Sequence, residues 1–301
     1  MLRSIHEMFD YTLAAKDGEI GTVDDFLFDE QHWTVRWLVA ETGTWLPERK
    51  VLVSPVALGE PDWAGRAFPV HLTIDEIKGA PPLDVDAPVS RAHEVKWYDF
   101  HAWPYYWTGG RPWGTADVPD KLRSPREGPI SSREGAGELF FPREGNIDTE
   151  SGGGQMFMPR EQPPDAIPAV GEVARERAPA PPVDVDRPEE DQDTVLRSTK
   201  EVLGYRVHAA DGEIGHLHDA ILDEAPWTYR YFVVDLGKWI PDRKVLIAPD
   251  WLTSIDWKDE QVHVDHSCEA IRNSPEYDST SAINRKYEEL LFDYYGRPAY
   301  W

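Results

Sequence analysis

Short apolar runs alternate with polar residues along the first hundred positions, and turn-forming residues separate the runs. Residues 33–41 alternate between apolar and other side chains, which predicts a β-strand. Residues 19–28 predict another strand, in which Gly21 indicates a bulge or a close backbone approach. Asp17 and Gly18 precede it and predict a two-residue hairpin turn, because such a turn needs positive φ at its central residues. Residues 45–47 and 51–53 predict one further strand that the charged turn at residues 48–50 interrupts, and residues 68–72 predict another.

Helical periodicity replaces this pattern after the strands. Residues 73–78 predict one helical turn that proline ends at Pro81. Residues 283–294 carry apolar side chains at three- and four-residue steps, which predicts one apolar helix face. Arg91 and Glu94 are three residues apart and are expected to pair on the surface. Short strands joined by turns, followed by an amphipathic helix, predict a mainly β fold built from small antiparallel barrels.

The sequence contains an internal repeat. Residues 2–107 align with residues 196–301 at a constant offset of 194 without a gap, and 39 of the 106 aligned positions are identical. A repeat of this kind indicates that one structural unit occurs twice. We therefore predict a first barrel domain at residues 1–107 and a second at residues 196–301.

Residues 108–195, between the two copies, have a different composition. They hold 13 prolines and 11 glycines in 88 positions and little periodic apolar signal. Such a segment buries too little apolar surface to offset its chain entropy, which predicts a disordered linker. The apolar islands around Phe140 and Phe141 and at residues 156–158 are either partner-docking motifs, incidental hydrophobic residues or a small strap over a barrel.

Charge and composition exclude several classes of function. Lys plus Arg is 31 and Asp plus Glu is 55, so the formal net charge of 31 − 55 = −24 argues against binding nucleic acid or anionic membranes. A single cysteine excludes an internal disulfide framework and fits a reducing compartment. The sequence contains no apolar run of about 20 residues, so it predicts no membrane span. The N-terminus lacks the pattern of a secretion signal. We expect a cytoplasmic protein.

Several strings in a fixed order resemble the PRC-barrel domain. They are Asp17 to Gly21, the strand at residues 33–41, residues 43–46 and residues 50–55, and the second copy repeats them at residues 211–215 and 244–249. This domain occurs in the cytoplasmic part of the H subunit of purple-bacterial photosynthetic reaction centres and in a ribosome maturation factor. The resemblance covers both copies, omits the linker, and is closer to stand-alone bacterial PRC-barrel proteins. It implies a barrel that serves as a binding or assembly module.

Motifs for catalysis are weak. The sequence has no Gly-x-Ser-x-Gly elbow and no Gly-rich phosphate loop at a strand-to-helix junction. Cys268 takes the position of Ile74 in the first copy, which predicts a small core residue rather than a nucleophile. We therefore expect no enzymatic activity and no cofactor.

The histidines of the second copy are weak candidates for metal ligands. His216 and His218 share one face of a strand, as do His263 and Asp265, and such pairs can bind a transition metal. The first copy lacks this set, so surface histidines without a metal are the alternative interpretation, and we expect no metal. The acidic pairs are read either as groups for proton uptake or as exposed carboxylates that protect sheet edges. These pairs are Asp24-Asp25, Asp29-Glu30 and Asp223-Glu224.

Aromatic residues concentrate at the end of the first copy, where Trp103, Tyr105 and Tyr106 precede the linker. An exposed aromatic patch marks a contact surface. Its partner is either the other barrel, in an internal pseudo-dimer or a homo-oligomer, or a foreign protein. We expect a non-enzymatic protein-binding or scaffolding protein whose partner is unidentified. The alternative is a peripheral accessory of a membrane electron-transfer complex similar to the reaction centre.

Overall fold

The computed structural model describes residues 1–43, 50–81, 89–123, 196–237 and 240–301 and shows a mainly β fold. The first copy contains six strands, β1 to β6, and the second contains seven, β7 to β13. The strands of the first copy are Leu2–Ser4, Thr12–Ala15, Gly18–Asp29, Thr34–Glu41, Lys50–Val53 and Ala67–Pro69. Those of the second copy are Leu196–Ser198, Arg206–Ala209, Gly212–Asp223, Thr228–Asp235, Lys244–Ile247, Leu252–Asp256 and Gln261–Val264.

Five α-helices accompany the strands in the described ranges. Helices α1 (Ile74–Gly79) and α5 (Arg285–Tyr295) confirm the two helical segments expected from periodicity. Thr73 caps α1 in a complete capping box with Glu76, which satisfies two backbone N–H groups at the start of the helix. The other helices are α2 (Arg91–Phe100), α3 (Thr199–Val202) and α4 (Cys268–Arg272).

The hairpin between β2 and β3 forms one residue earlier than predicted. Ala15 pairs with Gly18, so Lys16 and Asp17 make the turn. The expected close approach at Gly21 is present, because a Cβ atom there would lie 1.9 Å from the carbonyl oxygen of Glu41. Gly215 faces the carbonyl of Asp235 in the second copy in the same way, at 2.2 Å.

One mixed sheet contains strands from both copies. Its main path runs β12-β13-β8-β9-β10-β4-β3-β2-β6, so β10 and β4 join the second copy to the first. At this junction Thr228 pairs with Thr34, and their hydroxyl oxygens lie 2.9 Å apart. Thr34 and Thr228 are equivalent positions of the repeat, so the junction is a pseudo-two-fold contact.

The copies also exchange their first strands. Strand β1 pairs with β9 of the second copy, and β7 pairs with β3 of the first. The registers are equivalent, since Leu2 lies opposite Asp223 and Leu196 lies opposite Asp29. Both copies accordingly belong to one compact unit formed by Met1–Gly128 and Glu189–Trp301. The sequence predicted contact through the aromatic tail, whereas strand exchange provides the main contact.

A buried carboxylate holds each exchanged strand, which for Asp25 corrects the expectation of an exposed acidic pair. Asp25 accepts hydrogen bonds from the Ser198 hydroxyl at 2.5 Å and from the Lys200 backbone N–H at 3.1 Å. Asp219 accepts the equivalent bonds from Ser4 and His6. These acidic side chains hold paired strands together instead of keeping an edge unpaired.

Residues 108–123 are folded against the first copy, although the sequence analysis assigned them to a disordered linker. The Trp113 side chain is fully buried, and Leu122 is also buried. The 3₁₀ turn Pro119–Arg123 packs on the 3₁₀ turn Pro55–Ala57, and the Arg123 guanidinium donates to the Leu58 carbonyl at 3.1 Å. A single tryptophan and its neighbours supply enough apolar burial here to order a segment rich in glycine and proline.

Candidate functional site

Two of the weak candidates for metal ligands lie together with a third residue that the sequence analysis did not name. The ligand atoms of His216, His218 and Asp235 all lie within 4.8 Å of one another. His263 instead pairs with His208 across two strands, with ring centroids 5.5 Å apart, and Asp265 bonds to Arg297 at 2.8 Å. The predicted four-residue set is therefore split between two places.

A lysine occupies the position that a metal would need at His218. The Lys244 ammonium lies 2.7 Å from His218 Nε2, where it would repel a cation and occupy the lone pair. The first copy shows the origin of this arrangement, because Asp24 at the equivalent position bonds to Lys50 at 2.9 Å and to Lys200 at 2.5 Å. The residues present therefore fit a lysine–histidine contact better than a metal site.

Substituting His218 by aspartate should reduce the loss of stability at acid pH. Burial first, and then the charge of Lys244, lower the pKa of His218 in the folded protein. The unfolded state then binds a proton more readily as the pH falls through about 6.5, so protonation destabilises the native state. In His218→Asp, an ion pair like Asp24–Lys50 forms instead, and we expect a smaller difference in unfolding free energy between pH 7.5 and 5.5.

Urea denaturation at both pH values measures this difference. The variant Lys244→Met provides an independent readout by NMR, where it should raise the pKa of His218 toward, but not to, its ordinary value because burial persists. A pH-dependent loss in His218→Asp as large as in the natural protein would contradict this account.

The predicted interaction residues are mostly internal. Trp103 and Tyr106 are buried, whereas Tyr105 is partly exposed and stacks on Trp107 at a centroid distance of 4.7 Å. Burial removes Trp103 and Tyr106 from any exposed docking surface of this structure. Phe140 and Phe141 lie outside the described residues.

Each copy contains a buried glutamate surrounded by aromatic and cationic groups. Glu94 accepts hydrogen bonds from Trp37 Nε1 at 3.0 Å, from the Tyr106 hydroxyl at 2.8 Å and from Arg91 at 2.8 Å. Burial raises the pKa of the Glu94 carboxyl, and Arg91 opposes that rise. The expected surface pair of Arg91 and Glu94 is thus an internal one. Its position in the second copy is taken by Glu288, which is also buried.

The first copy has a groove that its own chain fills, here called the first groove. Trp113 inserts into it and donates its indole N–H to the Pro226 carbonyl at 2.7 Å. The Arg36 guanidinium lies 4.8 Å from the Trp113 ring and 4.0 Å from the Tyr106 ring, and it donates to the Pro112 carbonyl. The first groove is therefore a complete binding site for a short segment with an inserted indole.

The equivalent second groove is open. It has a volume of about 470 Å³, and among its lining residues His32, Arg230 and Tyr300 are the counterparts of Pro226, Arg36 and Tyr106. Within the described ranges, no side chain fills this groove as Trp113 fills the first. The Arg230 side chain is 26% exposed, whereas that of Arg36 is 1% exposed.

Sequence reasoning missed this groove, although part of its signal was present. The part that was present is Trp113, an aromatic residue close behind the first copy in a stretch that the sequence analysis assigned to the linker. Arg36 and Arg230 are identical positions of the repeat and gave no sign that one is covered and the other open. Only the exposure of the two side chains distinguishes them.

The single cysteine occupies the core position that was expected. Cys268 begins α4 and is buried, with its Sγ 3.5 Å from the Gly212 carbonyl. Burial raises the pKa of its thiol, and hydrogen bonding to Asp211 adds to the rise. A raised pKa disfavours the nucleophilic thiolate.

No family model matches the chain, and no curated protein matches it. Among the described residues, no helix is long and apolar enough to cross a membrane.

Proposed function

We propose that this protein is a non-enzymatic, cytoplasmic protein-binding or scaffolding protein of bacteria. In this proposal its two copies are PRC-type barrels fused into one pseudo-symmetric unit. The order of the strings at residues 17–21, 33–41 and 50–55, and their recurrence 194 residues later, support the barrel assignment.

The observation that carries the proposal is the difference between the two grooves. The ionisable groups that both copies share, such as Asp25, Glu94 and their counterparts, are engaged in internal hydrogen bonds that hold the fold. The groove is the feature that differs between the copies: among the described residues, a segment of the chain fills the first groove and none fills the second. A groove that accepts a polypeptide in one copy is suited to accept one in the other.

Site-specific photo-crosslinking in the living cell tests this function. A benzoyl-phenylalanine at position 299 projects from the rim of the second groove, because Ala299 is exposed and lines it. The first copy carries Tyr105 at the equivalent position, so the fold accommodates an aromatic side chain there. The matched control places the same probe at position 105.

We expect one defined protein adduct from position 299 and none of the same identity from position 105. Adducts that are identical at both positions, or no protein adduct from position 299, would contradict the proposal. Recovery of the adduct only from the membrane fraction, with a subunit of an electron-transfer complex, would favour the alternative of a peripheral accessory protein.

A further inference from the structure

We propose that the second groove binds a segment of a partner protein in which a tryptophan lies between proline and glycine and basic residues follow. This proposal rests on the protein-binding function and specifies the chemistry of the partner. The template is the chain's own segment at residues 111–116, which occupies the first groove.

The template segment forms a tight double turn that depends on a glycine after the tryptophan. Arg111 and Gly114 exchange two backbone hydrogen bonds of 3.1 Å, and Trp113 and Ala116 exchange two more of 3.1 and 3.0 Å. Gly114 has a φ of +69°, and a Cβ atom there would lie 2.8 Å from the carbonyl oxygen of Thr108. A tight double turn of this kind projects the indole outward and requires glycine after the tryptophan.

The acceptor for an indole N–H is present in both grooves. In the first groove it is the carbonyl of Pro226, which also accepts the Thr228 hydroxyl at 3.4 Å. In the second it is the carbonyl of His32, which accepts the equivalent Thr34 hydroxyl at 3.1 Å. A carbonyl oxygen has two lone pairs, so the His32 carbonyl can accept a second donor from the groove as the Pro226 carbonyl does.

The cation that packs on the indole is also present in both grooves. Arg36 bonds to Asp29 at 2.7 Å and lies near the rings of both Tyr106 and Trp113, which contact each other edge-on at a centroid distance of 6.0 Å. Arg230 bonds to Asp223 at 3.3 Å and lies 4.3 Å from the Tyr300 ring, which is the counterpart of the Tyr106 ring. An incoming tryptophan would complete the same arrangement and add a cation–π contact.

One difference between the grooves indicates the charge of the partner. The turn Pro55–Ala57 of the first copy is apolar and receives the turn Pro119–Arg123. Its counterpart Pro249–Trp251 carries the exposed Asp250 where the first copy has the buried Val56. Two cations also line this groove, but Arg230 is paired with Asp223 and Arg297 with Asp265. The added carboxylate of Asp250 therefore favours a basic continuation of the bound segment over an apolar one, and the net charge of −24 favours a basic partner as well.

Titration calorimetry of the full chain with synthetic peptides tests this inference. The probe has the sequence of residues 108–116 followed by three lysines, and the control peptides replace its tryptophan by alanine or phenylalanine. We expect 1:1 binding with a dissociation constant below about 1 mM. The alanine peptide should bind at least tenfold more weakly, and the phenylalanine peptide, which lacks the indole N–H, about fivefold more weakly.

Protein variants locate the peptide. Arg230→Leu should weaken binding at least tenfold, whereas Arg206→Leu, on a strand away from both grooves, should leave binding unchanged. Equal binding of all three peptides, or full 1:1 binding by a folded Arg230→Leu protein, would overturn the assignment. The peptide comparison leaves the protein unaltered, so it decides the question even if Arg230→Leu does not fold.

Two further outcomes separate this inference from the function on which it rests. A specific adduct from position 299 together with no peptide binding would refute the tryptophan-segment assignment while leaving protein binding intact. A dimer at micromolar concentration that Arg230→Leu abolishes would show that the groove receives the segment of a second copy, which would also refute a foreign partner.

Discussion

Replacing Glu94 by leucine should lower the free energy of unfolding by roughly 3–5 kcal/mol, as removal of one partner from a buried ion pair does. Glu94 is fully buried, and the Arg91 side chain beside it is 13% exposed. The substitution leaves that guanidinium without its carboxylate and the Trp37 indole N–H without its acceptor. Urea denaturation followed by far-ultraviolet circular dichroism measures the change.

The second copy supplies a matched control in Glu288→Leu. Glu288 accepts from the Tyr231 and Tyr300 hydroxyls, but the side chain of its cation, Arg285, is 49% exposed. Water can therefore solvate Arg285 and part of Tyr300 after the substitution, and we expect a cost of about 1–3 kcal/mol. Equal costs at the two positions would show that burial of the cation does not determine the effect.

Replacing Gly21 by alanine should cost about 3 kcal/mol or more. A Cβ atom there would lie 1.9 Å from the Glu41 carbonyl oxygen and 2.8 Å from its carbonyl carbon, so paired backbone would have to separate. The φ of +150° adds strain for any L side chain. The midpoint of thermal unfolding and the unfolding free energy in urea both report the loss.

Gly43 separates the cost of the steric clash from the cost of the positive φ. Its φ is +60°, but none of the described residues has an atom within 4 Å of a Cβ atom built there. Gly43→Ala should therefore show only the conformational cost, about 1 kcal/mol. If Gly21→Ala were no more harmful than Gly43→Ala, the close approach of β3 to Glu41 would not constrain the sequence.

A short helix and a hairpin could be predicted from the sequence because interactions between residues close in the chain determine them. Helix α1 was predicted from a periodic turn before proline, and the structure adds the capping box of Thr73 and Glu76. The hairpin at Asp17 and Gly18 was predicted within one residue. The core position of Cys268 was predicted from its alignment with Ile74; Cys268 is buried, although Ile74 itself is only partly buried.

Predictions about exposure failed where burial depends on residues distant in the chain. Glu94 and Asp25 were read as surface carboxylates, yet Trp37 and Tyr106 surround the first and Ser198 binds the second across a separation of 173 residues. Trp113 was assigned to a disordered segment because composition averages over a stretch, while one buried indole can order its neighbours.

The sequence by itself determined that one strand-rich unit occurs twice, because a gap-free repeat and its turn signals are readable position by position. Tertiary structure alone decided that the two copies exchange their first strands and that, in the part of the chain that the structure describes, one groove is filled while the other is open. The physical reason is that identical residues, such as Arg36 and Arg230, acquire different environments only through contacts with chain segments outside the repeat.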